Sequence, residues 1–128
     1  MIDILKQHPK AAEVMKDYYI DLMIESAQDL PAHFKEFLQD KGLEMSNIAE
    51  MMETAPRNLF DVFDEHGIFI NISTTNNGKS YQCDVSRDLQ GESQGANSRK
   101  EADLKGVILA IGMLENKLTP LENTNEDS

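Results

Sequence analysis

Apolar residues change their period at residue 67, and that change sets what the chain can fold into. Before it they recur at helical spacing. Ala11, Val14, Met15, Tyr18, Leu22 and Met23 form one stripe, widened by Ile20, Ile24 and Ala27. After it Ile68, Ile70 and Ile72 alternate with Phe69, Asn71 and Ser73, and Tyr81, Cys83 and Val85 alternate again beyond a Thr74–Gly78 turn. A period of 3.6 buries one side of a helix, and a period of two buries one face of a sheet. A third strand is open between Leu89 and Gln94, ending at Gly95. Leu104, Val107, Ile108, Ile111, Leu114 and Leu118 then restore the helical stripe. The fold class is therefore α+β. A helical region comes first, followed by an antiparallel sheet of two or three strands packed with two helices. Those helices, around residues 59–63 and 104–118, are expected to lie on one sheet face.

Local signals place the boundaries. Asp29-Leu-Pro31 ends the first long helix and opens another, with Phe34, Phe37 and Leu38 inward and Lys41-Gly42 as its stop. Asn47 and Glu50 have capping-box spacing ahead of Ile48, Met51 and Met52, and so do Ser98 and Glu101 ahead of the last helix. Thr54-Ala-Pro56 starts a helix carrying Leu59, Phe60, Val62 and Phe63, and Gly67 ends it. Pro120 stops the last helix. Three segments follow: an acidic helical region at 1–54, an α-β-β-(β)-α module at 55–119, and a frayed acidic tail at 120–128.

Charge is unevenly spread. Residues 1–67 carry 14 acids against 6 bases, residues 68–119 carry 6 of each, and residues 120–128 add 3 acids. An acidic surface of this kind disfavours a duplex binder driven by phosphate neutralisation and suits a basic protein partner. Within it Glu13, Asp17, Asp21 and Glu25 form a stripe at i, i+4, and Asp17, Asp21 and Glu25 are the candidate partner-binding residues. The width of the first apolar stripe fits the central helix of a bundle, or a homodimer through the N-terminal helices.

The other chemical candidates are sparse. Asp61, Asp64, Glu65 and His66 offer metal-type donors but read as a solvated acidic face, so no metal and no cofactor is expected. Cys83 is the single cysteine and reads as a buried thiol; no disulfide framework exists. Met15, Met23, Met45, Met51 and Met52 read as core filling, with an adaptable partner surface as the alternative. No nucleophile elbow or phosphate loop occurs, so the chain is expected not to be an enzyme. The N-terminus has an acid at position 3 and no long apolar run, and no segment reaches membrane-span length. These point to a cytoplasmic setting.

Two segments carry a resemblance to a known family. Pro56-Arg-Asn-Leu-Phe-Asp-Val-Phe-Asp-Glu-His-Gly-Ile68 and Gly91-Glu-Ser-Gln-Gly-Ala-Asn-Ser-Arg-Lys-Glu-Ala-Asp103, with Ala110, Ile111 and Leu114, resemble the first and last helices of the double-stranded-RNA-binding domain. The resemblance implies phosphate contacts from the start of the last helix. Arg99 and Lys100 match two of the family's basic positions there. Lys105 and, on the loop, Lys79 complete the candidate nucleic-acid set. Three departures weaken RNA binding. Asp103 stands where a third base is expected. Thr74–Lys79 replaces the family's Gly-Pro-x-His-like loop. The first helix carries Asp61, Asp64 and Glu65 with Arg57 as its only cation. The chain also resembles, loosely, short proteins of phages and mobile elements. The expectation is a non-catalytic accessory or interaction protein. Double-stranded RNA binding and an acidic nucleic-acid mimic that inhibits a basic protein are the alternatives.

Overall fold

The computed structural model describes residues 1–26, 36 and 44–119. The helix expected from Pro31 to Gly42 and the tail at 120–128 lie outside the described residues. The elements in order are α1 (Ile2–Gln7), α2 (Pro9–Ser26), α3 (Met45–Thr54), a 3-10 turn (Pro56–Leu59), α4 (Phe60–Glu65), β1 (Ile68–Thr75), β2 (Ser80–Arg87), β3 (Gln90–Ala96) and α5 (Arg99–Leu118). The class is α+β, with a three-stranded antiparallel sheet in the order β1-β2-β3.

Alternation decides the sheet faces. Ile68, Cys83 and Val85 are buried and Ile70, Ile72 and Tyr81 half-buried, while Phe69 on the other face is 55% exposed. Register aligns Ile70 with Val85 and Ile72 with Cys83, so the aliphatic residues form rows beneath α5. Gly106 sets the depth of that contact. A Cβ built there would sit 2.7 Å from Ile70 Cγ2 and 3.6 Å from Cys83 Cβ. Only glycine lets the helix come this close to the sheet.

The third strand exists and starts one residue later than the sequence indicates. Asp88 adopts a left-handed φ of 54° and closes a two-residue turn between Arg87 and Gln90. That geometry ejects Leu89 into solvent, where it is fully exposed. A second correction concerns α3. Asn47 and Glu50 form no capping box there, because the helix begins at Met45 with Glu44 as its N-cap and no side-chain cap. Glu44 carbonyl accepts from the backbone N–H groups of Asn47 and Ile48. Starting at Met45 aligns Met45, Ile48, Ala49 and Met52 at i, i+3, i+4 and i+7, and all four join the core. Apolar burial outweighs a weak local cap here.

The helical segment and the sheet share one core. Leu5, Met15, Tyr19, Ile48 and Met52 belong to the same apolar cluster as Phe63, Ile68, Ile111 and Leu114. Helix α5 joins the two parts, packing on all three strands and on α2. A polar contact fixes the α2 joint. Glu115 on α5 accepts from the Ala11 N–H at 2.8 Å, so a carboxylate from the far end of the chain caps the first turn of α2. Gly67, with a φ of 75°, ends α4 and turns the chain into β1.

Candidate functional site

The start of α5 is built as a self-contained anion site. Ser98 is the N-cap, and its hydroxyl accepts from the Glu101 N–H at 3.1 Å. Glu101 reaches back and accepts from the Asn97 N–H at 2.9 Å. That N–H, followed by Lys105, holds the Glu101 carboxyl below the usual carboxylate range. A helix N-terminus with free N–H groups attracts phosphate. Here the chain's own Glu101 carboxylate stands beside that end, on the Asn97 N–H just ahead of the N-cap.

Two of the four nearby cations are engaged. Lys105 Nζ donates to the Gly95 carbonyl at 2.8 Å and lies 3.1 Å from Glu101 Oε1. The Arg99 guanidinium sits over the Tyr81 ring, 5.5 Å from its centroid. Lys79 and Lys100 are exposed and make no hydrogen bond or ion pair among the described residues. The sheet register puts Tyr81 opposite Ala96. The loop carrying Lys79 and the start of α5 therefore share one end of the sheet. All four sequence candidates, Lys79, Arg99, Lys100 and Lys105, gather there.

Asp103 has a structural partner that its sequence neighbours do not disclose. It is 7% exposed and accepts two hydrogen bonds from Arg57, at 3.1 Å to Nε and 2.8 Å to Nη2. Arg57 also lies over the Phe60 ring at 5.2 Å. The pair ties the 3-10 turn to α5 through a bidentate fork. The only cation of the Pro56–Glu65 segment is thus turned onto an acid of the helix where a third base was expected.

The acidic residues assemble instead of cancelling. Asp17, Asp21 and Glu25 are exposed along α2, as is Glu13. Tyr18 shows where this stripe meets α4. Its hydroxyl is held above its ordinary range first by burial, then by Asp61, Glu65 and Glu25. It donates to the Asn58 carbonyl at 3.0 Å. Glu25 of α2 and Asp61 and Glu65 of α4, distant in sequence, therefore act on one tyrosine. His66 turns away from them. Lys117 Nζ donates to its carbonyl at 2.9 Å and lies 3.5 Å from its Nδ1. Burial, then Lys117, lowers the imidazole pKa against the opposing pull of Glu65. Among the described residues no three or more His, Cys, Asp or Glu are placed to hold a metal. Cys83 is fully buried under α5, and burial raises its thiol pKa.

Two open grooves lie among the described residues. One, about 610 Å3, runs between β3 and α5 beside Leu89, Ile108, Gly112 and Met113. The other, about 520 Å3, runs between α2 and α3 and is lined by Tyr19, Leu22, Met23, Met51 and Ala55. Two of the methionines read as core filling, Met23 and Met51, line this second groove and are only half-buried. Sequence spacing alone gives no sign of either groove. No helix among the described residues is long and apolar enough to cross a membrane. Compared with protein-family models, with curated proteins and with solved structures, the chain has no match in any of the three.

Proposed function

We propose that this chain is a non-catalytic interaction protein that binds a basic segment of another protein through the acidic face of α2 and α4. The observation that carries this reading is the Glu101 carboxylate at the start of α5. It takes the Asn97 N–H just ahead of the helix and pairs with Lys105, while Asp103 engages Arg57. The exposed acids Asp17, Asp21 and Glu25 of α2, with Asp61 and Glu65 of α4, supply the complementary field. An accessory protein of a phage or mobile element, or an acidic mimic seated in the nucleic-acid channel of a basic protein, would use the same face.

The test is a titration with a lysine homopolymer over a range of salt. Asp21→Lys/Glu25→Lys is expected to weaken binding far more than the equal charge change Asp3→Lys/Glu92→Lys. Equal weakening by the two variants would reduce the reading to net charge and overturn it. One observation favours a second reading, double-stranded RNA binding: Lys79, Arg99, Lys100 and Lys105 share one end of the sheet. That reading requires salt-sensitive duplex binding that is lost in Arg99→Glu/Lys100→Glu.

A further inference from the structure

Tyr19 lines the α2–α3 groove, is 4% exposed, and carries the one buried side-chain polar atom without a hydrogen-bond partner among the described residues. A buried hydroxyl left unpaired is costly, and native chains leave few of them. Burial raises the Tyr19 pKa to about 12, so the group stays a donor at neutral pH. Around it the groove is apolar through Leu22, Met23 and Met51, and Leu22 is 39% exposed. Unbranched methionines adapt to varied shapes. Glu50 stands in the groove wall, and Asp21 and Glu25 are exposed on the same helix as Leu22. Tyr18, on which Asp61, Glu65 and Glu25 act, packs edge-on against Tyr19 at 5.6 Å between centroids. An apolar slot, floored by a buried phenol, and an acidic border therefore meet at one place.

We propose that the α2–α3 groove seats an apolar side chain from a basic, amphipathic helical segment of a partner protein. Cations of that segment lie on Asp21, Glu25 and Glu50. A helix laid in a groove reads out anchors in this way. The inference rests on the acidic-face reading above and adds the apolar anchor to it.

The experiment uses the full chain and two synthetic peptides of equal length and charge. One has leucine at helical spacing among lysines, and the other has serine in place of each leucine. The leucine peptide is expected to bind about tenfold tighter or more, the gain from burying one such side chain. Leu22→Asp, at a partly exposed position, is expected to abolish that advantage. Equal binding of the two peptides would overturn the groove and leave the acidic face standing. Binding of neither would remove both. A concentration-dependent dimer that Leu22→Asp dissociates would overturn the proposal by making a second copy of the chain the occupant.

Discussion

Helix α5 contains two glycines that should respond in opposite ways to the same substitution. Alanine in place of glycine inside a helix stabilises it by about 1 kcal/mol when nothing else changes. At Gly112 a Cβ meets nothing within 4 Å, so the full gain is expected. At Gly106 the Cβ would approach Ile70 Cγ2 to 2.7 Å. That methyl is attached directly to the Ile70 Cβ and cannot swing away at the end of a long side chain. Relieving such a clash means lifting the helix from the sheet or moving β1, a disturbance that costs about 1–3 kcal/mol. Set against the same propensity gain, Gly106→Ala should range from neutral to about 2 kcal/mol destabilised. The two variants should therefore differ by about 1–3 kcal/mol. Because both sites are on one helix, intrinsic propensity cancels from the comparison. Urea unfolding resolves it, since slopes of about 1–3 kcal/mol per molar turn a 2 kcal/mol gap into midpoints roughly 1 M apart. Equal stabilisation by both substitutions would refute the close packing of α5 on β1 and β2.

Other expectations follow from single contacts. Ser98→Ala removes the N-cap of α5 and should cost about 1 kcal/mol in urea unfolding. Asp103→Ala strips a buried acceptor from Arg57, whose side chain is 53% exposed and can return to water, so the loss should be modest, about 1–2 kcal/mol. Asp84 and Glu101 both have lowered carboxyl pKa values, Asp84 chiefly through Ser93 and then Gln82. A lowered folded-state pKa contributes stability above the unfolded value and loses it as pH falls through the folded one. Acid unfolding of Asp84→Asn should accordingly depend less steeply on pH below the ordinary carboxylate range. Tyr19 behaves in the opposite sense. Its pKa is raised from 10.0 to about 12, so its contribution is complete below pH 10 and lost between those values. Tyr19→Phe should flatten the alkaline limb of a pH–stability curve.

Period carried most of the architecture. Alternation from Ile68 to Val85 predicts two strands and the face they turn to α5, and both are observed. The cap at Ser98 is legible because its partner Glu101 lies three residues away in the sequence. The same pattern misleads at Asn47, where burial of Met45 moves the helix start and leaves the polar pair exposed on the surface. Contacts between distant residues stay hidden from any local reading. Arg57 with Asp103 and Ala11 with Glu115 join positions 46 and 104 residues apart. The site follows the same rule. The acidic stripe of α2 is visible in its spacing, but its union with Asp61 and Glu65 around Tyr18 requires the packing of α2 beside the Pro56–Glu65 segment. The unpaired Tyr19 hydroxyl belongs to that class too, because only the folded chain shows which groups a buried phenol fails to reach.

The central claim is that the start of α5 supplies its own anion and leaves the duplex-binding surface unused. Fluorescence anisotropy of a labelled generic RNA duplex, titrated with the wild-type chain at low salt, tests it most directly. The account predicts no binding there, where electrostatic attraction is least screened. Saturable binding that weakens with added salt and disappears in Arg99→Glu/Lys100→Glu would contradict it.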